Sequence, residues 1–225
     1  MKITIKNSWD SITWREYEQL EQILSTDIPA DYKTVHIVSL LTGIPLEDVE
    51  KLPISQFQKL LPALEFLQTE PKTRTHKFEH TINGREYDFK GKLQEITTAQ
   101  YIDYRTYISE EDKDIVKLMS VFLIPKGHEY NDGYDMAQVI NDINDMCWLD
   151  LRAAAFFFRI QLAAYILILK SSLEKSLKKT KKGKTQKERK QIQQDIAQME
   201  EYLNNSASCL LYSGSANIQM TDLIR

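Results

Sequence analysis

AAAFFFRIQLAAYILILK, residues 153–170, is the stretch on which the reading of the fold turns. Its apolar run from Ala153 to Leu169 is broken only by Arg159 and Gln161, and at 17 residues it sits at the lower edge of membrane-spanning length. A buried helix of a folded domain is therefore expected, without a membrane span. Successive residues of a helix are turned by about 100°, so Phe156, Phe157 and Phe158 point in three directions. No single neighbour can cover all three. The helix is expected to be surrounded, by its own domain or by identical copies. Phe156, Phe157, Phe158, Trp148 and Tyr165 are the candidate packing residues.

C-terminal to this run the chain turns basic. From Lys175 to Lys190 there are nine basic residues against the single acid Glu188, so the segment carries +8 in a chain whose total is −3. Lys178, Lys179, Lys181, Lys182 and Lys184 surround Gly183 and read as a solvated joint between helices. The run has no interleaved aromatics for base stacking, so a nucleic-acid role through phosphate contacts remains a secondary expectation. A polar helix is expected from about Gln186 to Leu203, followed by a tail of small residues.

N-terminal to the run the pattern is mostly helical. MKITIK alternates like a short strand, and Thr13 to Glu16 has capping-box spacing before Tyr17, Leu20, Ile23 and Leu24. A helix is expected from near Ala30 to Thr42 with Gly43 as its terminator. A short one should follow over Pro45–Leu52. Ser55 to Gln58 again has capping-box spacing, with Pro62 imposing a kink or break. HKFEHTI and REYDFKG flank Asn83-Gly84 and predict a β-hairpin over about 76–90. Helices are then expected over Thr98–Tyr107, over Glu110–Phe122, from Asp135 to about Met146, and from Asp150 to about Leu177, with an irregular loop at Ile124–Asp135. The fold class is thus mainly α: a multi-helix body with one inserted β-hairpin (1–177), a basic joint (178–190), and a C-terminal helix with its tail (191–225).

Chemistry is sparse. The sequence holds no HExxH, Walker or GxSxG pattern, and its seven glycines offer little for cradling phosphate. His76 and His80, placed on one strand, would stand about 13 Å apart, too far to share a metal. His128, Glu129, Asn131, Asp132 and Asp135 form the best polar cluster, and they read as a turn with helix caps. Cys147 and Cys209 have no CxxC spacing, and MKITIKNSWDS lacks the apolar core of a secretory signal. No enzyme activity, cofactor or metal is expected.

Two stretches, LQEITTAQYIDY (93–104) and VFLIPKGHEYNDGYDMAQV (121–139), carry a resemblance. With a hairpin before them and an apolar helix after, they resemble a family of tailed-bacteriophage virion and tail proteins described as tail-assembly-chaperone-like. The likeness covers roughly Ile3 to Lys170, and the closest in appearance are tail cargo proteins of crAss-like phages of gut Bacteroidales. The resemblance implies a multi-copy virion protein stored in the tail and ejected into the host, with tail or portal-associated proteins and further copies of itself as partners. An alternative is a tail assembly chaperone confined to the host cytoplasm during assembly. The resemblance transfers no catalytic residue.

Overall fold

The computed structural model describes residues 3–109, 114–179 and 190–198. The chain is mainly helical with one three-stranded antiparallel sheet. It divides into two compact units, where one body had been expected. The first comprises residues 3–75 and 141–151; the second comprises 76–109, 114–140, 152–179 and 190–198.

The first unit is built on local signals. Helix α1 (Trp14–Ser25) opens with the expected capping box. The Glu16 N–H donates to Thr13 Oγ1 at 3.3 Å, and the Thr13 N–H donates to the Glu16 carboxylate at 2.9 Å. Helix α2 (Ala30–Thr42) stops at Gly43, whose φ of 68° suits a residue without Cβ. Helix α3 (Leu46–Glu50) starts after Pro45, and α4 (Ile54–Phe57) after Pro53. The capping box expected at Ser55 does not form. The chain breaks near Pro62, which opens a 3₁₀ helix over Leu61–Gln68. Residues 3–7 form no strand.

Residues 141–151 join this unit through backbone pairing. The Trp14 N–H donates to the Met146 carbonyl at 2.8 Å, and the Trp148 N–H to that of Ile12 at 3.1 Å. Trp148 then stacks on Tyr17 with ring centroids 4.3 Å apart, and Trp9 meets Trp148 edge-on at 5.5 Å. Arg74 closes the cluster by pairing with Asp10 and, at 2.8 Å, with Asp150.

The second unit is organised by the hairpin. Strands β1 (Glu79–Ile82) and β2 (Arg85–Phe89) pair with His80 opposite Tyr87. Their turn places Asn83 and Gly84 at φ 51° and 77°, as a type I′ turn requires. The hairpin packs on its own chain. Strand β3 (Leu123–Pro125) adds to β2, with Phe89 opposite Leu123. This strand lies where a helix end and a loop were expected; its partner is distant in sequence, so no local pattern announces it.

Helix α5 (Thr98–Ser109) falls where expected. Helix α6 (Ile115–Ser120) is shorter than expected, because the Asp114 carboxylate accepts the Val116 and Lys117 N–H groups and so sets the start. Helix α7 (Met136–Asn144) is capped by Asp135, which accepts from Ala137 and Gln138. Helix α8 (Trp148–Lys179) begins two residues before the expected start, since the Cys147 carbonyl is already accepting from Asp150 and Leu151. Residues 190–198 are helical, inside the range read for the last helix.

Candidate functional site

From Arg152 onward α8 belongs to the second unit, and its two sides differ. Ala154, Ala155, Phe158, Leu162 and Ile166 recur at intervals of three and four and are buried. Phe158 is 1 % exposed, with its ring 4.1 Å from Phe122 and 5.0 Å from Tyr104. The opposite side is equally apolar but open. Phe156 is 57 % exposed, Ile160 49 % and Leu167 63 %, while Ile168 at 67 % and Tyr165 at 48 % are exposed elsewhere around the helix. Phe156, Ile160 and Leu167 fall at i, i+4 and i+11, one stripe along the helix.

The structure therefore separates the five predicted packing residues. Trp148 lies inside the first unit and Phe158 inside the second, so neither offers its ring outward. Phe157 sits between the two sides, stacked on His76 at 4.4 Å and edge-on to Phe78 at 5.5 Å. Phe156 and Tyr165 remain as outward-facing residues. Ile160, Leu167 and Ile168 join them, although the sequence reading did not single them out. Their signal was the continuous apolar circumference of the run, which exceeds what one core contact can cover. Of the basic residues, Lys178 and Lys179 end α8, while Lys181, Lys182 and Lys184 lie outside the described residues.

The Trp148–Ser172 part of α8 is long and apolar enough to cross a membrane by length and composition, and 28 % of its apolar window is buried. That buried share is the inner side just described.

Around the inner side the second unit carries an aromatic cluster with a histidine in it. His76 lies against Phe78, Phe89 and Phe157, and neither ring nitrogen has a hydrogen-bond partner among the described residues. Burial, and next the neighbouring His80, lower its pKa to about 4. His76 precedes β1, so its ring centroid stands 6.3 Å from that of His80, closer than the separation expected for two residues on one strand. Among the described residues no three His, Cys, Asp or Glu side chains gather to hold a metal.

The polar loop at His128–Asp135 is tied down as a turn. Lys90 Nζ donates to the His128 carbonyl and to the Glu129 carboxylate at 2.9 and 2.8 Å. His128 and Asp132 face each other across 3.8 Å, both well exposed, and Asp135 caps α7.

The stretches 93–104 and 121–139 meet in the second unit. Buried Gln100 donates from Nε2 to the Val121 carbonyl at 2.9 Å, and Tyr130 Oη donates to the Asp103 carboxylate at 2.6 Å. Gln100 also completes a reciprocal cap with Thr97, a Thr-x-x-Gln spacing that is legible in the sequence. Burial, and then the Asp103 carboxylate, push the Tyr130 phenol pKa up. No family model, curated protein or solved structure matches the chain.

Proposed function

We propose that this chain is a non-enzymatic packing protein of a tailed-phage particle, held in many copies in the tail and ejected into the host. The observation that carries the packing part is the outer side of α8. Phe156, Ile160, Tyr165, Leu167 and Ile168 are each about half exposed or more, on a helix whose other side already packs in a core. Phe156, Ile160 and Leu167 share one stripe and offer on the order of 300 Å² per copy, so an interface of the roughly 1,000 Å² typical of specific contacts also draws on residues flanking the stripe. A self-complementary stripe of this kind lets one surface serve both partners.

Assignment to a phage tail rests on the resemblance carried by residues 93–104 and 121–139. The test is quantitative mass spectrometry of gradient-purified virions, with copy number scaled to a known ring protein. Abundant, protease-protected copies are the expected result. Presence in infected-cell lysate together with absence from virions overturns the stored-cargo reading in favour of an assembly chaperone.

A further inference from the structure

The first unit holds an open groove with no part in the α8 surface. It is enclosed by α2, α3, α4 and the 3₁₀ helix Leu61–Gln68, and has a volume of about 650 Å³. Its floor is buried and apolar, formed by Ile37, Val49, Leu64 and Leu67. Half-buried Val35, Leu52, Phe57 and Leu61 make the walls, and Ile54, 69 % exposed, stands among the lining residues. Ile54 thus extends a contiguous apolar lining, and such a patch marks a surface that gains by being covered.

The polar lining says what kind of cover fits. Asp31 and Glu50 both line the groove and are exposed, and among the described residues neither carboxylate has an ion-pair partner. Over Asp27–Gln68, the span that supplies the lining, there are six carboxylates against three lysines. Two of the three lysines are engaged: Lys33 Nζ donates to the Leu24 carbonyl at 2.7 Å, and Lys51 lies 3.6 Å from Asp48. The groove is thus apolar below, and among the described residues its lining carries two carboxylates and no lysine or arginine.

We infer that this groove docks a basic amphipathic helix of a partner protein, whose aliphatic side chains enter the groove while its Lys or Arg residues meet Asp31 and Glu50. An amphipathic helix presents anchors at i, i+3, i+4 and i+7, which suits an elongated trough between helices. Opposite charge at the edge sets which helices are accepted and speeds their encounter. The site is independent of the α8 surface and of assignment to a phage tail.

The experiment uses the full chain and two fluorescein-labelled 16-residue peptides as probes, read by anisotropy at low salt. Both carry leucine at i, i+3, i+4 and i+7; one has lysine at the remaining charged positions and the other has glutamate. The lysine peptide is expected to bind saturably and at least tenfold more tightly than its glutamate twin. The Asp31→Lys/Glu50→Lys variant should lose at least tenfold of that affinity, and Ile54→Ser a similar amount. All three changes are at exposed positions and leave the folded unit intact, which circular dichroism checks. Equal binding of the two peptides, no binding of either, or binding that survives the groove variants but is lost in Leu167→Ser overturns the proposal.

Discussion

The two sides of α8 have nearly the same composition and different surroundings. Ala154, Ala155, Phe158, Leu162 and Ile166 are closed off by the sheet and helices of the second unit, while Phe156, Ile160, Leu167 and Ile168 face outward. Hydrophobicity alone therefore says that a residue resists water, but the neighbouring elements decide whether the same chain covers it. The inner side is accounted for by the fold of one molecule. Among the described residues nothing covers the outer side, and an exposed apolar stripe several turns long is the feature that most needs a partner.

The sharpest way to separate the two sides is to truncate one residue on each. Phe158→Ala should cost roughly 3–5 kcal/mol of folding stability in urea titration, because it opens a cavity against Phe122 and Tyr104. A cost under about 1 kcal/mol would mean that the inner side is not core.

His76 probes the boundary between the sides, where Phe157 lies. Its folded-state pKa is lowered to about 4 from 6.5, so above pH 6.5 it is neutral whether folded or unfolded and adds no pH dependence to stability. As pH falls from 6.5 towards 4 the unfolded chain takes up the proton first, and stability is lost across that window. The loss should be on the order of 2 kcal/mol after allowance for partial exposure. Relative to wild type, His76→Phe should gain most of that amount of stability between pH 7 and pH 4.5. Parallel pH profiles for the two chains would show that His76 is not held neutral by the aromatic cluster.

The cap of the first unit supplies a control remote from α8. Thr13→Ala should cost about 1 kcal/mol by removing the oxygen that accepts the Glu16 N–H. It should leave any self-association unchanged, and a change in association would place part of the contact surface outside the α8 stripe.

On the outer side the expected stability effect is the smallest. Phe156→Ser should change the folding stability of the monomer by no more than about 0.5 kcal/mol, measured by urea unfolding at low protein concentration. A large loss would show that Phe156 is held by its own chain.

Features decided by near neighbours in sequence were legible. Thr13 and Glu16 announced α1, Gly43 ended α2, Asn83-Gly84 turned the hairpin, and Asp135 capped α7. Features decided at long range were not. Strand β3 exists because Phe89 finds Leu123 across the intervening helices, and the division into two units depends on Trp148 stacking on Tyr17 rather than on its sequence neighbours. The candidate surface was half legible. The three phenylalanines mark the helix that carries the exposed stripe, but only packing shows that Phe158 points into a core while Phe156, two residues earlier, does not. The groove has no signature in the sequence because its lining comes from four separate elements, none of them unusual alone.

The most direct test of the account is sedimentation velocity over a hundredfold concentration range, comparing the wild-type chain with Phe156→Ser/Leu167→Ser. The wild-type mass should rise with concentration, and the double variant should stay monomeric with the same urea midpoint at low concentration. A wild-type chain that remains monomeric throughout, or a double variant that associates as the wild type does, would contradict the claim that the outer side of α8 packs copies together.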